Sequence, residues 1–244
     1  MNESSGSDFF QNTRYFRGRL PNHFLDWDNK PDVFKNYTDA ERVDLPTPMT
    51  SGGPGIWKVI NSRRSRRAYR NEPITLDQLS QLLWATQGIT GEISNFQLRA
   101  APSAGALYPI ETYLYVNRVT DLEPGLYHYN VKSHHLELLR RGNFSDDIKK
   151  GALDQGIAGQ AAVVLIWSAV FERSTWKYLQ RAYRYIFLDA AHIAQNLALA
   201  AEAMGLGSCQ IGAIYDEEMN ALLGLDGTKE SVIYLSSVGI PRVR

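Results

Sequence analysis

The chain has 244 residues, 44% of them hydrophobic and 21% charged, with 26 Lys+Arg balanced by 26 Asp+Glu. A chain of this length is one long domain or two short ones, able to bury roughly 70 to 75% of its unfolded surface, and the composition excludes wholesale disorder. No basic surplus offers itself to a nucleic-acid backbone, the single Cys209 excludes an internal disulfide and a cysteine zinc site, and no stretch is long enough for a membrane helix.

Residues 1–7 are polar, carry no signal-peptide pattern and are expected to be a loose end, so a soluble, cytoplasmic protein is the default. Residues 8–50 are polar yet hold Phe9, Phe10, Tyr15, Phe16, Phe24, Trp27, Phe34 and Tyr37. Unburied rings gain nothing to offset ordering costs, so residues 1–54 are expected to be an arm packed on the body or on a second subunit. The run Ser51-Gly52-Gly53-Pro54-Gly55 then punctuates the chain, and residues 55–244 form the compact part.

Thr75 caps a helix over 75–87 whose Leu76, Leu79, Leu82 and Leu83 recur at helical spacing. Residues 111–117 alternate, Thr112, Leu114 and Val116 opposing Tyr113 and Tyr115, as in a strand. Residues 125–130 and 134–139 read as a hairpin. Residues 161–170 are continuously apolar and rich in β-branched side chains, hence a strand buried on both faces. Residues 186–204 form the longest helix, with Phe187, Ala190, Ala194, Leu197 and Ala201 on an apolar side, and Gly205 closes it. A strand over 208–215, a short helix over 216–223 capped by Asp216 and stopped by Gly224, and a strand over 231–238 complete the chain. Strands and helices mix without a regular βαβ beat, which indicates an α+β fold.

The densest chemical feature is the run Arg63-Arg64-Ser65-Arg66-Arg67, with Arg70 close behind. In an extended segment Arg63, Ser65 and Arg67 share one side, and two guanidinium forks around a hydroxyl suit a phosphate; the plain alternative is a solvated basic patch. In Pro102-Ser103-Ala104-Gly105-Ala106-Leu107-Tyr108-Pro109, small residues between prolines let a ligand approach the backbone, unless the stretch is only a tight turn. Gly205, Gly207 and Gly212 lack dinucleotide-loop spacing and follow a helix. Ser174-Thr175-Trp176-Lys177 spells S-x-x-K, but its companion motifs and a nucleophile elbow are absent, which argues against a hydrolase. The histidines do not stand at metal-ligand spacing. Asp189, His192 and Asn196 form a polar stripe on the long helix, read as an interhelical hydrogen-bond seam.

In order, these segments resemble the FMN-dependent nitroreductase superfamily, and most closely its SagB/ThcOx branch of azoline dehydrogenases. The match runs from about residue 56 to the C-terminus through the arginine/serine run, residues 79–88, residues 102–109, Gly125-Leu126-Tyr127-His128-Tyr129, Lys177-Tyr178, residues 181–185, Gln195-Asn196-Leu197, Gly205-Leu206-Gly207 and Val238-Gly239-Ile240-Pro241. The resemblance implies a nitroreductase fold, with a central, mostly antiparallel sheet flanked by helices, in an intertwined homodimer with FMN at the interface. It implies that Arg63 and Ser65 hold the FMN phosphate, with Arg64 beside them, and that Arg67 stands at the pyrimidine edge, where a fixed cation stabilises the charge of the reduced ring. Pro102, Ser103, Ala104, Gly105 and Leu107 would line the flavin from the second subunit. Ile211-Gly212-Ala213 would offer an N–H to flavin N5, and Arg242 and Arg244 would complete the phosphate site. Lys177-Tyr178 matches a proton-removing pair. The activity implied is hydride transfer between flavin N5 and a small or peptide-derived heterocycle, in some relatives alongside a partner biosynthetic enzyme. The alternatives are a nitro- or quinone-reductase fed by NAD(P)H and, from another class, a flavin-free binding module on the same fold.

Overall fold

The computed structural model describes residues 5–94 and 96–242, so Arg244 lies outside the described residues. Helix α1 (Ser5–Asn12), strand β1 (Glu41–Asp44) and helix α2 (Ile56–Ser62) come first; α1 replaces the loose end expected over residues 5–7. Helix α3 (Leu76–Gln87) starts at a capping box, in which Thr75 Oγ1 accepts from the Gln78 N–H at 3.1 Å and Gln78 Oε1 accepts from the Thr75 N–H at 2.9 Å. A small hairpin of β2 (Ile89–Ile93) and β3 (Phe96–Arg99) stands apart. Strands β4 (Ile110–Val116), β5 (Gly125–Asn130) and β6 (His135–Arg141) follow as a meander. Helices α4 (Ser145–Gly151) and α5 (Gly156–Gln160) lead into β7 (Val163–Val170), α6 (Phe171–Tyr178) and the 22-residue α7 (Ala182–Ala203). Strand β8 (Gly207–Ile211), helix α8 (Asp216–Leu223) and strand β9 (Glu230–Gly239) close the chain.

Seven strands form one sheet in the order β1-β6-β5-β4-β7-β9-β8, each neighbouring pair antiparallel. The strand alternation decides what each face buries. Leu114, Val116, Leu165 and Trp167 meet Leu82 and Leu83 of α3 and Ile186 and Leu197 of α7. On the opposite face Tyr113, Tyr115, Val164 and Ile166 pack with Ile148 of α4, Ala158 of α5 and Met219 of α8. Helices on both faces explain why β7 is apolar but for Ser168, whose buried hydroxyl donates to Glu230 Oε1 at 2.5 Å; each large apolar side chain contributes roughly 1.5–3 kcal/mol on burial.

Three expectations need correction. Strand β8 ends at Ile211, not at residue 215, because the Tyr215 N–H donates to the Gly151 carbonyl at 2.7 Å and draws the chain away toward α4. Helix α8 is entered through Tyr215, which leaves Asp216 inside the first turn instead of capping it. Phe187 points outward at 56% exposure even though the helical period put it with the core residues. Among the described residues no helix is long and apolar enough to cross a membrane.

The N-terminal arm touches the body at defined points. Phe9 meets the edge of Tyr183 at 6.3 Å, Trp27 meets Trp176 at 5.2 Å, and β1 extends the sheet beside β6.

Candidate functional site

The arginine run begins where α2 stops, with the Arg63 N–H donating to the Val59 carbonyl at 2.9 Å. From there the backbone is tied to the outer edge of the sheet. Ser65 bridges Ser208, and the Arg66 N–H donates to the Ser208 carbonyl at 2.9 Å. The Arg70 N–H donates to Ile240 at 2.8 Å, and the Arg242 N–H donates to Ala68 at 3.0 Å. The buried Tyr69 anchors the segment from beneath, its hydroxyl within hydrogen-bond distance of the Arg66 carbonyl (2.9 Å) and Ser237 Oγ (2.9 Å). Gly207 permits this approach, since a Cβ there would lie 2.8 Å from Arg66 Cβ.

The side chains above this fixed backbone are cationic and unneutralised. Among the described residues no carboxylate lies within 4.0 Å of Arg63, Arg64, Arg66 or Arg67. Arg64 turns back on α2 and donates to the Asn61 and Arg63 carbonyls at 3.0 and 2.8 Å. That leaves the side chains of Arg63, Ser65, Arg66 and Arg67 free to donate, Ser65, Arg66 and Arg67 being exposed and Arg63 half-buried. Arg242 joins the same seam, its Nε donating to the Tyr69 carbonyl at 2.9 Å. A rigid backbone presenting guanidinium forks and a hydroxyl fits a phosphate, and each charge-assisted bond contributes roughly 1.5–3 kcal/mol.

A second cluster forms around the loop that precedes β4. Ser103 Oγ donates to Asp189 Oδ2 at 2.6 Å and accepts from the Tyr108 N–H at 2.9 Å, while the Ala104 N–H donates to Asp189 Oδ1 at 3.2 Å. Asn196 donates to the Ala85 and Ala100 carbonyls at 3.0 and 3.4 Å. Of the polar stripe of α7, Asn196 therefore makes the expected bond between helices, to α3, while Asp189 tethers this loop and His192 is left exposed. Burial holds the Asp189 carboxyl above its ordinary range, against the pull of the Ser103 and Ala104 bonds. Leu107 is buried in the core, and Pro102 is exposed.

Lys177 and Tyr178, at the end of α6, reach the same loop. Gly105 adopts φ +69°, and a Cβ there would lie 2.6 Å from the Tyr178 hydroxyl and 3.1 Å from Lys177 Nζ. Burial first, then Tyr185, Tyr15 and Asp189, push the Tyr178 hydroxyl above the ordinary phenol value, so it remains a donor. One turn earlier in the helix, buried Arg173 fixes α6 by donating to Glu111 Oε1 at 2.5 Å, Tyr108 O at 3.1 Å and Asp32 O at 2.7 Å. Glu111 continues into a buried chain through His128 Nε2 (3.0 Å), whose Nδ1 meets Glu137 Oε2 at 2.7 Å. Burial opposes charge on His128, but the two carboxylates prevail and raise its pKa.

These two clusters do not meet within one chain. The loop is held at Asp189, in the middle of α7, whereas Arg66 lies against Gly207, just past the end of α7. At 1.5 Å per residue, Asp189 and Ala203 are about 20 Å apart along the helix axis. Beyond β8, a Cβ on Gly212 would meet the Tyr234 ring at an ordinary 3.7 Å, and Ile211 is buried. Asp189, Tyr69 and Arg173 are the residues that a reading of motifs undervalues: each acts on a partner far away in sequence.

The chain is similar to known proteins along most of its length. Residues 60–240 match the family described as Nitroreductase family. A nitroreductase-family protein of Methanocaldococcus jannaschii is 37% identical over 181 residues, covering 74% of this chain and 88% of the relative. The trifolitoxin-processing protein of Rhizobium leguminosarum bv. trifolii is 32% identical over 208 residues, covering 79% of this chain. The present chain spans 54% of that relative's length. A solved nitroreductase-family structure from Anabaena variabilis superposes with a TM-score of 0.77 at 30% identity, over 96% of this chain and 46% of that one.

Proposed function

The chain belongs to the nitroreductase family of oxidoreductases, and from that premise we propose that it is an FMN-dependent dehydrogenase of the SagB/ThcOx type working as a homodimer. The observation that carries the reading is the separation of two half-sites along α7, one cationic and one built on the small-residue loop. A second copy supplies the missing half to each. The exposed Trp57 and Ile60 of α2 and Phe187 and Leu188 of α7 give such a copy an apolar surface to cover.

The donor set fits the cofactor. Arg63, Ser65 and Arg242 would hold the phosphate, and Arg67 would stand by the pyrimidine edge. Pro102, Ser103, Ala104 and Gly105 of the other chain would back the ring, with Ser103 and Ala104 kept in place by Asp189 and Gly105 leaving room for the Tyr178 hydroxyl and Lys177 Nζ. The turn Ile211-Gly212-Ala213 offers backbone donors at the end of the strand that Ser65 bridges. When bound, FMN supplies two-electron hydride chemistry at N5. Of the facing pair, Tyr178 would keep its proton and hydrogen-bond the substrate, while Lys177, as the neutral amine, would take the ring proton as the substrate gives up its hydride. The substrate is a small or peptide-derived heterocycle, and similarity to a trifolitoxin-processing protein supports the peptide-derived option.

The similarity to the Methanocaldococcus protein favours a second reading, a nitro- or quinone-reductase drawing electrons from NAD(P)H at the same site. An anaerobic visible spectrum of the FMN-reconstituted protein separates the two: persistence of the flavin band on adding NADPH supports the dehydrogenase, and rapid bleaching supports the reductase. Arg63→Ala and Arg67→Ala should each weaken FMN retention by roughly tenfold or more, one lost charge-assisted bond apiece. Unaltered retention in both would refute the assignment of these arginines to FMN, whereas wild-type protein that takes up no FMN on reconstitution would return the fold to a flavin-free binding role.

A further inference from the structure

The arm segment 15–23 crosses the open side of the Lys177–Tyr178 pair and is fastened on both flanks to the helices that carry it. Upstream, Arg181 donates to the Thr13 carbonyl at 2.6 Å, Arg184 donates to Thr13 Oγ1 at 2.8 Å and to the Phe10 carbonyl, and the Arg181 guanidinium lies 4.4 Å from the Tyr15 ring centre. Downstream, His23 Nε2 donates to the Trp176 carbonyl at 2.7 Å, and the Trp176 indole donates to the Asp26 carbonyl at 2.8 Å. Between these fastenings Gly18, at φ +74°, turns the chain, which leaves Leu20 and Pro21 over the pair.

The result is a cavity of about 170 Å³ with Tyr15, Leu20, Pro21 and His23 on one side and Lys177, Tyr178 and Leu179 on the other. A cavity of roughly 150 Å³ takes one benzene ring, whereas drug-sized ligands occupy roughly 300–1,000 Å³. Each wall is mixed: Leu20 and Pro21 stand beside Tyr15 and His23, and Leu179 stands beside Lys177 and Tyr178. We propose that residues 15–23 are the specificity-determining wall of this pocket and restrict it to a single flat ring, with a polar ring atom or substituent turned toward Lys177 and Tyr178. This rests on the reading of that pair as the substrate side, and it adds the size and polarity of what enters.

The test compares nicotinamide with quinoline-3-carboxamide, which carries the same amide on two fused rings, by quenching of tryptophan fluorescence in the full-length, FMN-reconstituted protein. Trp176 reports locally because its backbone and indole both hold the segment. Wild-type protein should favour the one-ring probe by about tenfold or more, the scale on which a filled pocket rejects added bulk. Leu20 is 66% exposed, so its replacement leaves the core intact. Leu20→Ala should bring the ratio below about threefold, and Leu20→Trp should weaken both probes by about tenfold. Nicotinamide should also protect Lys177 from trinitrobenzenesulfonate. Equal binding of the two probes, binding of neither, absence of Lys177 protection, or a ratio unmoved by both Leu20 variants overturns the proposal. The two readings fail separately. Leu20-dependent selectivity with Lys177 protection, in a protein that retains no FMN, keeps the wall and removes the oxidoreductase role. Lys177-dependent turnover that is indifferent to Leu20 does the reverse.

Discussion

Substitution of Asp189 tests whether the loop at residues 103–105 is held by charge or by hydrogen bonding alone. The carboxylate accepts from Ser103 Oγ at 2.6 Å and from the Ala104 N–H at 3.2 Å, and it is buried. Asp189→Ala strands both donors, at a net cost of about 2–3 kcal/mol, or a Tm lower by about 4–12 °C for a chain of this size. Asp189→Asn keeps an oxygen acceptor in the same place without a buried charge, so its loss should stay within about 1 kcal/mol. The pH dependence separates the two contributions. Burial raises the Asp189 pKa in the folded protein, so the contribution linked to its protonation is fully present below the unfolded value of about 3.9 and is lost as pH rises through the folded value. Wild-type stability should therefore gain on that of the Asn variant as pH falls from about 7 toward 4. Thermal unfolding of the three proteins across that range is the assay. An Ala variant within about 1 °C of wild type, or a gap moving the other way on acidification, would refute the reasoning.

Other perturbations bear on neighbouring parts of the molecule. Gly105→Ala forces an L-residue into φ +69°, which should cost about 1–2 kcal/mol by thermal denaturation; because the new Cβ meets the movable end of Tyr178, turnover should suffer more than stability. His128→Gln leaves Glu111 and Glu137 facing each other across a neutral group and should cost about 3–5 kcal/mol in urea unfolding. Because the folded His128 pKa is raised, its contribution is complete below about pH 6.5 and is lost as pH rises through the folded value; the variant should lack this alkaline decline. Glu111 and Glu137 are shifted down, so their share is lost on acidification below about pH 4.3 in wild-type protein.

Much of the fold was legible in the sequence because its determinants are local. Thr75 and Gln78 cap α3 within one turn, Gly224 stops α8 by its own left-handed φ of 69°, and the alternation of β4 assigns Leu114 and Tyr113 to opposite faces before any partner is known. Periodicity has limits, however. It missed α6, whose eight residues FERSTWKY are too few and on average too polar to stand out, and it put Phe187 among the core residues although α7 turns it outward. The arginine/serine run likewise declared a phosphate-like donor set from spacing alone, but not that Arg64 would fold back on α2.

What only the tertiary structure decided concerns partners separated by long stretches of chain. Asp189 reaches Ser103 across 86 positions, and His23 reaches Trp176 across 153. A carboxylate on a helix has the same local signature whether it faces water, another helix or a loop. Its role is set by the packing of α7 against the sheet, to which the whole core contributes. The same packing puts the cationic run and the Lys177–Tyr178 pair at separate points along α7, a separation fixed by helix length and not by any motif.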